Sequence, residues 1–295
     1  MAFLSIILGT FLWSVDTLIR YPLLGRVNPT TMVLIEHLFL VLYFIPLLYI
    51  YQFSFKKIKR SHLLAFITIG AVGSAASTLA FTKAFSLVNP SLVILLQKLQ
   101  PFVAISLSSL ILKEKLNPRF FLYGAIAFGG ALMISLPDIL PLFTAPGDLS
   151  SSPVIGYGLA LFAVVGWGAS TVFGKQLSLN DFTESEIMAG RFIFGFIFLA
   201  LYATTSQAWP TTDLSYDVYL KILIMVFLSG LLGMYFYYRG LRQLPAHTTA
   251  IAELFFPLSA VAVNWILLGQ TLKPMQIAGG VVLIGASTLI QKAKV

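Results

Sequence analysis

Residues 112–118 of the chain read LKEKLNP, and residues 268–274 read LGQTLKP. The two stretches share Leu, Leu and Pro in the same places, 156 residues apart. The same offset relates further residues on both sides of them: Lys83 and Arg239, Pro101 and Pro257, Gly124 and Gly280, Gly129 and Gly285. Nearer the N-terminus, an offset of 154 residues relates Trp13 to Trp167, Thr17 to Thr171 and His37 to Arg191. The chain is therefore predicted to contain two copies of one unit, residues 1–142 and residues 153–295.

The composition places these units in a membrane. The 295 residues are 58% hydrophobic and only 10% charged, with a mean hydropathy of +0.90. Soluble domains average about 25% charged residues, so a water-soluble enzyme is excluded. A membrane helix needs about 20 largely apolar residues. Ten such stretches are predicted between polar or Pro/Gly-rich connections: 2–20, 31–51, 62–86, 90–112, 118–138, 153–174, 184–204, 218–241, 245–268 and 274–291.

Each unit contains five predicted spans, an odd number, so the second copy enters the membrane in the opposite orientation to the first. The expected fold is an all-α membrane protein with ten transmembrane helices, arranged as two inverted-topology five-helix repeats. Inverted repeats are characteristic of transporters, which hold the substrate between the repeats near the middle of the membrane. The pattern therefore favours a transporter over an enzyme or a receptor.

Basic residues in the connections predict the orientation. With a cytoplasmic N-terminus, 12 of them fall in inner loops or the C-terminal tail: Lys56, Lys57, Lys59, Arg60, Lys113, Lys115, Arg119, Lys175, Arg239, Arg242, Lys292 and Lys294. Four fall in outer connections: Arg20, Arg26, Lys221 and Lys273. The positive-inside rule then places both termini in the cytoplasm. Compact loops favour a multi-pass protein of a bacterial inner (cytoplasmic) membrane, and the 56–60 basic run is expected to contact anionic membrane lipid.

The two connections at 112–118 and 268–274 resemble the LxExLxP connection of the EamA-type transporters of the drug/metabolite transporter superfamily. A glycine-rich span follows each connection, and Trp13 and Trp167 open the two halves, as in that family. The resemblance covers essentially the whole chain, although Gln270 stands where the family often has Glu. It implies a ten-helix bundle and alternating-access transport of small solutes, often export. It names no substrate, since the family transports amino acids, nucleotide-like metabolites, organic cations and sugars.

Ionisable residues inside the predicted spans are the first candidates for function: Asp16, Glu36, Lys83, Lys98, Arg191 and Glu253. Each costs about 2.5–3.5 kcal/mol at a helix centre, so each is expected to face the interior of the bundle or an aqueous cavity. Their depths predict two groups, namely an Arg191–Glu253 pair and a cluster of Asp16, Glu36, His37 and Lys98.

Polar and aromatic residues recur at helical spacing on single faces of the spans. They are the candidate lining of a solute site: Trp13, Asp16, Thr17, His37, Gln97, Lys98, Gln100, Trp167, Ser170, Arg191, Tyr238, Glu253 and Asn264. Asp16, Glu36 and Glu253 are candidate proton carriers. Pro101 and Pro257 interrupt helical hydrogen bonds and are candidate hinges. Static kinks, a structural ion-pair lock and simple packing are the alternatives for the prolines, the Arg191–Glu253 pair and His37.

The segment before Lys175 looks like a P-loop but lacks its first glycine, and Gln176 replaces the Ser or Thr that would bind magnesium. Without an ATP site, energy must come from a gradient or from exchange. The predicted function is secondary active export of small metabolites, such as amino acids or amphipathic organic compounds. No catalytic residue, cofactor, metal or nucleic acid is expected, and the oligomeric state is not predicted. A membrane-embedded lipid-modifying enzyme and a channel or scramblase are the alternatives.

Overall fold

The structure is a computed structural model that describes residues 1–50, 59–113, 116, 118–144, 152–210, 214–241, 243–244, 252–253 and 255–293. The described residues form ten helices: α1 Ala2–Leu23, α2 Pro29–Ile50, α3 Arg60–Phe85, α4 Pro90–Ile111, α5 Arg119–Thr144, α6 Ser152–Ser178, α7 Glu184–Ser206, α8 216–241, α9 Phe255–Leu268 and α10 Pro274–Ala293. Within this part of the chain, nine helices are long and apolar enough to cross a membrane, and α9 is shorter at 14 residues. The expected all-α membrane fold is confirmed.

Helices begin where the sequence supplies a cap. Asn89 precedes Pro90 at the start of α4, and its side chain accepts a hydrogen bond from the Ser91 amide at 2.9 Å. At the start of α7, the Glu186 amide donates to the Thr183 hydroxyl, and the Thr183 amide donates to the Glu186 carboxylate at 2.7 Å. These bonds satisfy amides that a helix leaves without an intrahelical partner, so they fix the first turns.

Helix α1 is longer than the sequence predicts. It continues to Leu23, whereas the first apolar stretch was expected to end at residue 20. Arg20 therefore lies within the helix and is only 6% exposed. The assignment of Arg20 to an outer connection is wrong. A helix places residues four apart on one face, so Arg20 shares the face of Asp16.

The two halves pack in a pattern that a two-fold axis would produce. Helix α1 packs against α8 and α9 of the other half, and its counterpart α6 packs against α3 and α4. Helix α2 contacts its own counterpart α7, and α5 contacts its counterpart α10. Because each half contributes five helices, counterparts cross the bundle in opposite directions.

The α5–α10 pair is held at backbone contact by glycine. A Cβ atom on Gly130 would lie 2.9 Å from the Gly279 carbonyl oxygen, and one on Gly279 would lie 2.7 Å from the Gly130 carbonyl oxygen. Small residues allow such close crossings in membranes, where packing replaces the hydrophobic effect between helices. Glycine thus sets the spacing of this pair, and α10 also reaches the central cavity through Gln291.

Three helices leave regular α geometry near the centre. Helix α3 is a π-helix over Thr68–Ala76, and α8 is a π-helix over Val226–Gly233, its counterpart in the repeat. Helix α4 contains a 3₁₀ turn at Gln97–Leu99. Such irregular turns often mark functional positions. Side chains from all three segments line the central cavity.

Candidate functional site

A cavity of about 840 Å³ lies between the two halves. We call the side of the bundle on which α1 begins the near side, and the side on which it ends the far side. The lining extends to the near side at Lys175 and Ser178 of α6 and at Gln291 of α10. Pockets of roughly 300–1,000 Å³ hold drug-sized molecules, so this cavity is large enough for a metabolite.

The far side is closed by polar contacts between the halves. One is an ion pair from Arg26 to Asp217, with 2.6 Å between Nη1 and Oδ2. A second joins Lys273 Nζ to Asp138 Oδ1 at 2.8 Å. The Arg26 guanidinium lies outside the spans, and its hydrogen bond with the Asp217 carboxylate raises its pKa above the ordinary value.

Two further far-side contacts are hydrogen bonds. The Asn89 side-chain amide donates to the Thr271 carbonyl at 2.9 Å, and the Gln270 amide donates to the Tyr21 hydroxyl at 3.2 Å. Gln270 therefore ties the second half to α1. With these contacts in place, the cavity is closed at the far side and reaches the near side.

Most of the candidate residues from the sequence meet in this cavity. The lining includes Trp13, Asp16, Thr17, Glu36, His37, Gln97, Lys98, Gln100, Pro101, Trp167, Ser170, Arg191 and Glu253. The side chain of Tyr238 lies outside the described part of the structure. The neighbouring Tyr237 is part of the lining, as is Phe256 on the face of Glu253, and so are Phe81 and Ser229, which were not among the candidates.

The acidic residues Asp16 and Glu36 are joined by Arg20. Its guanidinium donates from Nε to Asp16 Oδ2 at 2.6 Å and from Nη1 to Glu36 Oε1 at 2.8 Å. It also donates to the Thr82 hydroxyl at 2.9 Å, and the Ser229 hydroxyl donates to Asp16 Oδ1 at 2.9 Å. We call Asp16, Arg20 and Glu36 the carboxylate–arginine triad. It connects α1 to α2 and α3 of its own half and to α8 of the other half.

The triad corrects the predicted acidic cluster in two ways. Its cation is Arg20 rather than Lys98, because α1 carries Arg20 one turn beyond Asp16. His37 is not joined to the acids either. One ring nitrogen of His37 contacts the Val33 carbonyl oxygen at 2.9 Å, and the other contacts the Ser74 hydroxyl at 3.0 Å. These bonds occupy both ring nitrogens, which fits a packing histidine at the cavity wall.

Glu253 lies at the near half of the cavity. Its carboxylate accepts a hydrogen bond from the Tyr237 hydroxyl at 2.5 Å, and it interacts electrostatically with Lys98 of the first half. Arg191 also lines the cavity, and it has His37 as an electrostatic neighbour. The Arg191–Glu253 ion pair stays a prediction.

Aromatic residues form walls from both halves. Trp13 of α1 lies 5.1 Å from Tyr237 and 6.1 Å from Phe256 between ring centroids. Its indole donates to the Ser229 carbonyl at 3.0 Å, which fixes the ring. Its repeat counterpart Trp167 packs edge-on against Phe81 at 5.1 Å. Each half thus supplies one oriented indole.

Asn264 and the two prolines occupy other surroundings. Asn264 is fully buried and donates to the Ser91 hydroxyl at 3.1 Å, so it lies in the packing between α9 and α4 rather than in the cavity lining. Pro101 is the second residue after the 3₁₀ turn of α4 and lines the cavity. Pro257 is buried within α9. The structure shows a helix break beside Pro101, while the hinge role of both prolines stays a prediction.

The described side chains include no group of three or more His, Asp or Glu residues that could hold a metal ion. The lining offers a solute stacking on indoles, hydrogen bonding to amides and hydroxyls, and charge compensation by the triad, Lys98 and Glu253.

Comparison with known proteins agrees with this arrangement. The family model for the EamA-like transporter family matches residues 1–136 and 154–291. The chain belongs to the EamA-like transporter family. It is therefore a multi-pass membrane transporter of small molecules and not an enzyme, and the two matches correspond to the two five-helix halves.

Relatives of similar length carry transporter names. The chain is 29% identical to the riboflavin transporter ImpX of Fusobacterium nucleatum, over 98% of this chain and 97% of that protein. It is 23% identical to the uncharacterized transporter YyaM of Bacillus subtilis, over 78% of this chain and 73% of that protein. A solved crystal structure shares the fold with a TM-score of 0.62 at 17% identity, covering 98% of this chain and 95% of the other.

Proposed function

We propose that the protein is a secondary transporter that moves a small amphipathic heteroaromatic solute, of the chemical class of riboflavin, by alternating access. The observation that carries this proposal is the cavity of about 840 Å³ with an oriented indole from each half. Planar heteroaromatic rings stack on indoles. The similarity over 98% of the chain to a protein named as a riboflavin transporter supports the same solute class.

Amino acids, the other solute class expected from the sequence, match the cavity less well. A zwitterion needs one anion and one cation without other partners, whereas Asp16 and Glu36 share the Arg20 guanidinium, and Glu253 interacts with Tyr237 and Lys98. An amino acid would also fill only a small part of 840 Å³. A larger solute with a neutral ring system uses both the volume and the aromatic walls.

Alternating access is supported by the pairing of equivalent elements across the two halves. The cavity reaches the near side while contacts such as Arg26–Asp217 close the far side. If each repeat adopted the arrangement that the other has now, the far side would open and the near side would close. In the predicted orientation the near side is cytoplasmic and the membrane is the inner membrane. The solute then loads from the cytoplasm, and we propose export as the net direction.

Protons are the proposed coupling ions, with Asp16, Glu36 and Glu253 as carriers. Glu36 accepts from Arg20 between α2 and α1, and Asp16 accepts from Ser229 between α1 and α8, so a proton on either carboxylate weakens a contact between helices. Glu253 faces Lys98 of the other half, so its protonation changes the attraction between α9 and α4. Ionisable groups placed between helices in this way are typical of proton-driven carriers.

Counterflow in proteoliposomes tests the function. Vesicles that contain the full chain and unlabelled riboflavin should transiently accumulate labelled riboflavin, and the rate should saturate. Trp13→Ala should raise the KM about tenfold, because stacking area is lost. Trp265→Ala is the matched control. Trp265 is 42% exposed and lies outside the cavity lining, so its variant should transport like the wild type.

Three outcomes would contradict the proposal. Saturable counterflow of amino acids but not of riboflavin would overturn the solute class. Flux without saturation or counterflow would indicate a channel or scramblase. Riboflavin counterflow that an imposed pH gradient does not change, in the wild type and in Glu253→Gln alike, would remove proton coupling and leave facilitated exchange.

A further inference from the structure

The break in α4 places uncommitted hydrogen-bonding groups in the cavity. The helix stops after Leu96, forms a 3₁₀ turn over Gln97–Leu99 and resumes at Gln100. The side chains of Gln97, Lys98 and Gln100 all line the cavity and are half-buried. Gln97 and Gln100 are three residues apart, so they share a face even in a regular helix, and the 3₁₀ turn brings side chains at this spacing directly into line.

The two amides at this break have spare hydrogen-bonding capacity. Within the described residues, the Gln97 side chain makes no hydrogen bond to the protein. Gln100 makes one long contact, from Nε2 to the Thr171 hydroxyl at 3.5 Å. A primary amide offers two donors and one acceptor with two lone pairs. Polar groups in a half-buried wall need partners, so these amides are available to water or to a solute.

The contact with Thr171 places the Gln100 amide against the face of α6 that carries Trp167, because residues four apart share a helix face. The Thr171 hydroxyl donates to the Trp167 carbonyl at 3.0 Å, one turn earlier in α6. The 3₁₀ turn itself packs against α6. Phe81 holds the Trp167 ring from another helix. A planar ring on Trp167 would therefore have one edge close to the glutamine pair of α4.

Comparison of the two repeats shows that α4 carries hydrogen-bonding groups that its counterpart in the second half lacks. The position equivalent to Gln97 in the second half is Glu253, which can only accept hydrogen bonds when ionised. Its carboxylate is engaged by the Tyr237 hydroxyl at 2.5 Å. The first half has the Gln97 amide at this position, which can both donate and accept and which has no hydrogen-bond partner within the described residues. The two halves therefore differ in chemistry at corresponding places.

We propose that Trp167 stacks on the ring system of the solute and that Gln97 and Gln100 recognise its imide edge. This inference rests on the proposed function, in which the solute is a flavin. The pyrimidine ring of a flavin presents a carbonyl, an N–H and a second carbonyl in a row. An amide oxygen accepts from that N–H while an amide nitrogen donates to the adjacent carbonyl. Lys98, which lies between the two glutamines in the sequence, supplies a cation for a carbonyl oxygen of the same ring.

Binding of two flavins to the purified full chain in nanodiscs tests the inference. Riboflavin and 3-methylriboflavin differ only at the imide N–H, which the methyl group replaces. Flavin fluorescence reports binding of both compounds. The wild type should bind riboflavin about tenfold more tightly, because the methyl compound cannot donate and leaves an amide without its partner.

Variants assign the preference to residues. Gln97→Leu should bring the ratio of the two dissociation constants close to one, and Gln100→Leu should reduce it. Gln291→Leu is the matched control, since Gln291 lines the same cavity at its near end. It should keep the wild-type ratio. Gln100→Leu keeps the test decisive if Gln97→Leu does not fold.

The outcomes separate the two proposals. If the wild type binds neither flavin, the proposed solute class and this inference both fail. If it binds riboflavin and 3-methylriboflavin equally, or if both glutamine variants keep the preference, recognition of the imide edge by these glutamines is wrong. The proposal that the protein transports a flavin would be unaffected. A preference that only Gln291→Leu abolishes would also overturn the inference, because the recognising amide would lie at the near end.

Discussion

An Arg20→Gln substitution removes the guanidinium that joins Asp16 and Glu36. Arg20 is 6% exposed and donates to these carboxylates at 2.6 Å and 2.8 Å. Removal of one partner of a buried ion pair costs about 3–5 kcal/mol, because the remaining charge is left uncompensated. Two carboxylates lose the same partner here, so we expect a loss of about 5 kcal/mol in the free energy of unfolding.

Thermal unfolding of the purified chain measures this loss. At about 2–4 °C per kcal/mol, Arg20→Gln should lower the Tm by about 10–20 °C. The double variant Arg20→Gln/Glu36→Gln replaces one stranded carboxylate with a neutral amide, so it should regain a substantial part of the loss. Arg26→Gln is the control, because its ion pair is almost half exposed and exposed pairs contribute little.

Two results would refute this reasoning. A Tm of Arg20→Gln within 2 °C of the wild type, a margin of about 1 kcal/mol, would show that the triad does not stabilise the bundle. A double variant less stable than Arg20→Gln would show that the loss comes from packing of the arginine stem rather than from an uncompensated charge.

The far-side contacts and the buried amide give further predictions. The chain contains no cysteine, so a single cysteine introduced at the far-side wall of the cavity can be labelled selectively. Arg26→Asp should open the far side and raise the rate at which this cysteine is labelled. The charge-swapped pair Arg26→Asp/Asp217→Arg should return labelling towards the wild-type rate, and failure of that rescue would contradict a latch between these residues. Asn264→Ala should cost about 1 kcal/mol in unfolding free energy, because it leaves Ser91 without its partner, and should leave the KM for solute unchanged. A raised KM would return Asn264 to the solute site.

The sequence predicts the helices and their division into two halves, because caps, apolar stretches and the repeat are visible in the order of the residues. Asn89 followed by proline marks the start of α4, and the offset between Pro118 and Pro274 marks the repeat. Arg20 was misplaced because a charge at the end of an apolar stretch lowers the local hydropathy, although Asp16 four residues earlier is the signal that pairs it within a helix. Without Arg20, the bases counted outside fall from four to three, and the predicted orientation is unchanged.

Partners across the bundle were harder to predict, because they depend on helix rotation. In the Tyr235–Tyr238 run, the sequence favoured Tyr238, and the structure places Tyr237 in the lining. The π-helix over Val226–Gly233 immediately precedes this run and changes its angular phase, so a regular 3.6-residue period cannot assign its faces. The same limit applies to His37, whose contact with Ser74 lies in the other π-helix.

The ion pairs that close the far side are exposed to solvent, whereas the ion pairs in the centre of the bundle are buried. Screening lengths shorten from about 8 Å at physiological ionic strength to about 3 Å at 1 M. The Arg26–Asp217 and Lys273–Asp138 pairs are exposed enough for added salt to weaken their attraction. The buried ion pairs of Arg20 are not. Under the proposed alternating access, the balance between the two orientations should therefore shift with the salinity of the medium, while the contacts around Arg20 keep their strength.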